Sequence, residues 1–240
     1  MHRQKTRGGR LGVQRSLQGT CVAICCGLLA CIQARADDFG NAYFGANFGR
    51  ALSSYNTGYV DQQYVSEATE FGDSLDVTSR SVHRFDDVWW GDAGYYFTPY
   101  VGLEAAFLHL GEVRYKTAGV INTGGTDDAT ATSSEVTSRG PALSLLGRLP
   151  LTDALEADLR LGDYIGKTVF YSSIDLLGQS SVVTSSRTTS SLLAGVGAAY
   201  SFAGHWSVRL DYLRVNRTGN SATGGRFTVN LASAGLSLTF

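Results

Sequence analysis

The chain has 240 residues, with 20 Lys and Arg against 21 Asp and Glu. Six of the basic residues (Arg3, Lys5, Arg7, Arg10, Arg15, Arg35) and no acid fall in the first 36 positions, so the other 204 residues carry 14 basic and 21 acidic side chains, a net of −7. That surplus of acid argues against nucleic acid as a partner, because phosphate binding needs a basic surface.

A short apolar run from Thr20 to Ile32 follows the basic head, and Ala34-Arg35-Ala36 follows the run. Basic head, apolar middle and small residues at Ala34 and Ala36 read as a secretory signal over 1–36, cleaved after Ala36. A lipobox reading of Leu28-Leu29-Ala30-Cys31 is the rival, disfavoured by Leu where a smaller residue is usual. The apolar run is shorter than the roughly 20 residues a membrane-spanning helix needs. Cys21, Cys25, Cys26 and Cys31 all lie in this segment, so residues 37–240 contain no thiol or disulfide.

The rest of the chain carries a period-2 pattern in eight stretches. Phe44, Ala46 and Phe48 alternate with glycine and asparagine. Trp89 to Phe97, Val101 to Leu108, Ala142 to Arg148 and Leu155 to Gly162 repeat the alternation. So do Leu193 to Phe202, Trp206 to Tyr212 and Arg226 to Phe240. One face of each stretch is apolar; the other holds small or charged residues. The connections alternate in length. Thr98–Tyr100, Pro150–Asp153 and Ala203–His205 are short turns, whereas residues 53–84, 118–138, 173–187 and 217–225 are long and polar, rich in Ser, Thr and Gly. Short turns on one side and long loops on the other, with strands of about 9–11 residues, predict an all-β, eight-stranded antiparallel transmembrane β-barrel. It is an up-and-down meander over 37–240, with the long loops extracellular and flexible. No second domain is expected.

The last eight residues hold Ser233, Gly235, Leu238 and a terminal Phe240 on an alternating strand. This arrangement resembles the assembly signal of outer-membrane barrels. The stretch Ala199 to Tyr212 resembles the sixth and seventh strands of OmpA-like barrels and opacity-type surface antigens. The resemblance implies an outer-membrane location, contact with outer-membrane lipid, and recognition of the last strand by the barrel assembly machinery. It implies little about activity.

An eight-stranded barrel is only wide enough for its own side chains. The inward parity collects Asp92, Glu104, Arg148, Glu156, Asp158, Arg160, Arg209 and Asp211, with Arg148 set across from Glu156. Buried charges must be paired or they cost several kcal/mol each. The expectation is therefore a closed interior network that plugs the barrel; a narrow water path along the same residues is the alternative. Aromatics near both strand ends, among them Tyr95, Phe97, Trp206, Trp89, Tyr115, Tyr164, Tyr212 and Phe227, are expected to form two interfacial girdles.

Some barrels of this size edit lipid A with a histidine, a serine and an acid. His205 stands at a short turn on the wrong side for that chemistry. His109 shares outward parity with Phe107, near Trp89 and Asp87, and is expected as a girdle residue rather than a base. Asp86-Asp87 and Asp127-Asp128 lack the spacing of a dedicated calcium loop. No cofactor, metal or catalytic residue is expected. The preferred role is a monomeric surface barrel, structural or adhesin-like, whose loops meet a host or surface ligand. A narrow channel and a lipid A-modifying enzyme are the alternatives.

Overall fold

The computed structural model describes residues 41–55, 58, 74–123, 126–176 and 179–240, all within the unit Gly40–Phe240. Ala34, Ala36 and the cleavage expectation lie outside the described residues.

Nine strand segments follow one another: β1 Asn41–Ser53, β2 Ser74–His83, β3 Phe85–Tyr96, β4 Val101–Thr123 and β5 Thr126–Pro150. Then come β6 Leu155–Leu176, β7 Gln179–Ala203, β8 Trp206–Thr218 and β9 Phe227–Thr239. Only Arg84 separates β2 from β3, and both pair with β4, so they form one long stave. All pairings are antiparallel, β1 pairs with both β3 and β9, and β4 pairs with β5. The sheet is thus closed into a ring of eight staves with no open edge at its waist.

The alternation of the sequence becomes an inside-out distribution. Along β8, residues from Trp206 to Val215 switch strictly between exposed and buried. Leu143, Leu159 and Leu210 are 60 % exposed or more, whereas Asp92, Glu104, Arg160 and Arg209 are at most 5 % exposed. A water-soluble fold would reverse that order; a lipid-facing barrel requires it.

The short turns owe their shape to threonine. Thr98 Oγ1 accepts from the N–H groups of Tyr100 and Val101, and Thr152 Oγ1 accepts from those of Ala154 and Leu155. Each hydroxyl replaces a backbone acceptor where the chain reverses. Ser233 and Gly235 on β9 face inward; Leu238 and Phe240 follow the outward parity, with the Phe240 ring 5.9 Å from Phe44 on β1. The first three therefore lie on the strand that closes the ring, and Phe240 directly follows it.

Three expectations need correction. Residues 118–138 and 173–187 are not flexible loops. β4 and β5 stay paired out to Thr123 and Thr126, and β6 and β7 out to Leu176 and Gln179. Their Thr, Val and Ser side chains suit a pleated surface, and cross-strand pairing holds each hairpin to its neighbour. Residues 74–83 of the first long connection are likewise strand. Tyr115, Tyr164 and Phe227 are not girdle residues but are buried inside the ring. For Tyr115 the reason is a bulge: the β4–β5 register shifts between His109 and Glu112, Gly111 takes a φ of 77°, and the inward parity passes from Leu110 to Val113 and Tyr115. Tyr164 simply continues the inward parity of Asp158 and Arg160.

Candidate functional site

The interior is divided into two layers of different chemistry. Toward the short turns, all eight expected charged residues point inward, and they gather into one assembly. Arg160 bonds Asp211 through Nη1 and lies 3.1 Å from Glu104 through Nε. Arg209 reaches Asp92 at 3.2 Å, Glu104 at 3.5 Å and Asp211 at 3.8 Å. Arg148 pairs with Glu156 at 3.0 Å, nearer the turns. Asp158 stands across from Arg148 in register and accepts from Tyr96 Oη at 3.2 Å.

Neutral side chains complete the network, and sequence reasoning did not single them out. Tyr43 donates to Glu104. Asn47 Nδ2 and Trp90 Nε1 donate to Asp92 at 2.8 and 3.2 Å. Tyr96 lies under the Arg148 guanidinium, 3.6 Å from carbon to ring centroid. Parity alone puts these residues inside. What could have marked two of them is the glycine opposite: a Cβ at Gly94 would enter the Tyr43 ring, and one at Gly235 would strike the Asn47 side-chain amide. These staves lack side chains where the network needs room.

Toward the hairpins the filling is apolar. Val88, Leu108, Leu213, Val229 and Leu231 pack with Trp90, Tyr164 and Phe227 in one cluster, these eight each at most 4 % exposed. Trp90 belongs to both layers, its ring in the cluster and its N–H on Asp92.

Beyond the ring, β2, β4, β5, β6 and β7 continue as a paired wall. Its inward face carries a hydroxyl ladder: Ser134 with Ser172 at 3.1 Å, Thr168 to Ser138 at 3.2 Å, Ser138 with Tyr164 at 3.1 Å. A cleft of about 410 Å³ is lined by Arg80, Lys116, Ala118, Ala131, Ser133 and Asp175. Glu112 and Glu135 flank Arg114 on this wall; burial, then the hydrogen bond and charge of Glu112, push the Glu135 carboxyl up.

The histidines and acidic pairs hold structural positions. His109 stacks edge-on to Trp89 at 5.8 Å, and its Nδ1 accepts from the Gly111 N–H at 3.1 Å. The carbonyl of His205 accepts from the Thr239 N–H. His83 lies opposite Arg114. Asp86 accepts from the Glu112 N–H at 2.6 Å, Asp87 pairs with Arg50 at 3.4 Å, and Asp127 accepts from Asn122 at 2.6 Å.

The family described as the OmpA-like transmembrane domain matches residues 37–240. Similar solved structures include Ail, the attachment invasion locus protein of Yersinia pestis, at 10 % identity and a TM-score of 0.44, covering 85 % of this chain and 100 % of that one. Neisserial surface protein A is similar at 14 % identity and a TM-score of 0.41, over 83 % and 97 % of the two chains. OprG from Pseudomonas aeruginosa is similar at 15 % and 0.39, over 84 % and 96 %. Comparison with curated protein sequences gives no match.

Proposed function

Because the chain belongs to the OmpA-like transmembrane domain family and is an outer-membrane β-barrel, we propose that its lumen is a plug and that its role is structural or surface-interacting, exercised through the hairpin wall. One observation carries this reading: two stacked layers fill the same lumen. An ion following the charged layer meets Leu108, Leu213, Val229 and Leu231 next. Crossing that apolar layer strips an ion of water with nothing to replace it, at a cost of many kcal/mol.

The wall supports the second half of the reading. Paired hairpins present hydroxyls, a cleft and the cations Arg80 and Lys116 on a hydrogen-bonded sheet, a better platform for a partner than an unpaired loop. Such a surface suits a polar or anionic ligand on a host or neighbouring cell. Catalysis forms no part of this reading, since His109 spends its Nδ1 on its own bulge.

Two measurements test the proposal. In planar bilayers the purified barrel should give no steady conductance; sustained ion-selective openings would refute the plug. Residues 37–240 contain no cysteine, so Ser181→Cys on β7 can be labelled with a membrane-impermeant maleimide. Labelling on intact cells is expected. Labelling only after the envelope is broken would remove the surface role.

A further inference from the structure

Beyond the ring, the described wall of β2, β4, β5, β6 and β7 ends in two strand edges. β2 forms one edge and pairs only with β4 among the described strands. β7 forms the other. Its pairing with β8 begins at Leu193, and the Gly219 N–H reaches Thr189 Oγ1 just beyond. From Gln179 to Thr188, no described strand pairs with the side of β7 that faces away from β6.

The two edges differ. An unpaired edge is a template for any extended strand, and proteins blunt it with charges and bulges. β2 carries both devices: Asp76, Arg80 and His83 lie along it, and its register with β4 shifts between Val77 and Ser79. On β7 the register with β6 runs unbroken from Gln179 to Tyr200, and Arg187 is the single charged residue between Gln179 and Thr188. Ser, Thr and Val fill the other positions after Gln179. Val182 and Val183 lie on opposite faces of this edge and are 55 % and 52 % exposed. The β2 edge is thus guarded against strand addition and the β7 edge is not.

We infer that the β7 edge pairs with β7 of a second copy of this chain in a facing outer membrane, so that the wall acts as a homotypic adhesin between cells. The inference rests on the surface role proposed above and names its partner. Strand direction selects the facing copy. Two copies in one membrane are related by an axis along the membrane normal, so their β7 strands run the same way and could pair only in parallel, the less stable arrangement. Two copies in facing membranes are related by an axis parallel to both, and their β7 strands meet antiparallel in an isologous contact. With that axis at Val183, Val182 stands opposite Thr184, Ser181 opposite Ser185 and Ser180 opposite Ser186, all pairs that suit adjacent strands. The two Arg187 residues then stand at opposite ends, roughly 27 Å apart by strand rise, further than repulsion reaches in physiological salt. About ten residues a side is well below the roughly 20–30 of a stable interface. One pair is therefore weak, and adhesion comes from many pairs between two surfaces.

The test uses the whole barrel in phosphatidylcholine vesicles, with clustering followed by light scattering. Vesicles carrying the wild type should cluster, and protein-free vesicles should not. Val182→Lys combined with Val183→Lys sets like charges together across the pair and should abolish clustering. Val182→Asp combined with Val183→Asp should do the same. Mixing the Lys vesicles with the Asp vesicles should restore clustering, which also shows that both variants are folded. Residues 37–240 start from a net charge of −7, so both variants stay acidic and bulk attraction between vesicles cannot produce that rescue. Wild-type vesicles that stay apart, clustering that survives the Lys substitutions, or a mixture that stays apart would each overturn the inference. Cell-surface labelling at Ser181 alongside vesicles that stay apart would remove the self-pairing alone and leave the surface role standing.

Discussion

Near the short turns the lumen holds three arginines and five carboxylates; nearer the hairpins the same lumen holds leucine, valine and aromatic rings. Both layers exclude space, but they fail differently. A buried ion network is worth having only when complete, because each charge was stripped of water to enter it. An apolar layer degrades in proportion to the volume removed. The charged layer therefore dictates the identity of its residues, and the apolar layer dictates mainly their bulk.

The largest expected effect follows from that difference. Arg209→Met removes the one cation that touches Asp92, Glu104 and Asp211 together. It should cost about 3–5 kcal/mol, the price of leaving buried carboxylates uncompensated. Urea unfolding in detergent, followed by the fluorescence of the three tryptophans, would measure it. Leu231→Ala, at a side chain 1 % exposed in the apolar layer, should cost about 2–5 kcal/mol. The two layers separate on rescue: Leu231→Met should recover most of the loss, whereas Arg209→Lys should not, since one ammonium cannot reproduce a fork spread over three carboxylates. Equal rescue at both sites would erase the distinction.

Tyr43→Phe probes the charged layer more gently. It deletes the hydroxyl that donates to Glu104 and keeps the ring near Arg209. The expected loss is about 1.5–3 kcal/mol, typical of a hydrogen bond to a charged group. Gly111→Ala probes the boundary instead. The bulge there swings Val113 and Tyr115 into the apolar layer, and its φ of 77° suits glycine. Alanine at that angle should cost about 1–2 kcal/mol, read in the same unfolding assay.

The ring was legible in the sequence because its signal is repeated eight times. Parity sorted Arg160 from Leu161 without any structure, since the period of a strand leaves no ambiguity once one face is apolar. Three things were not legible. Parity says which residues face in, but not that Leu108, Leu213, Val229 and Leu231 lie at a common height; that depends on the stagger of the staves. The bulge at Gly111 breaks the parity of β4 without an unmistakable local mark, so Tyr115 read as outward. The hairpins were misread for a compositional reason. Ser, Thr and Gly signal loops when taken singly, yet Ser134 and Ser172 hydrogen-bond across paired strands. A hydroxyl-rich segment is a loop only if nothing lies beside it to pair with.

The smallest expected effect concerns an ion pair of the same composition as the buried ones. Arg50 and Asp87 meet at 3.4 Å on adjacent staves, but their side chains are 71 % and 89 % exposed. In water such a pair is worth about 0–1 kcal/mol. A double-mutant cycle with Arg50→Ala and Asp87→Ala would give that coupling directly. The value reports more than the pair. Arg50 follows Phe48 and precedes Leu52 on the outward face of β1, so it stands where the apolar belt gives way to polar residues. Coulomb attraction at fixed distance grows several-fold when water is replaced by a less polarisable surrounding. A coupling below about 1 kcal/mol puts the pair at the wet side of the interface. A coupling well above that puts it among acyl chains and carries the apolar belt on β1 past Arg50 to Leu52.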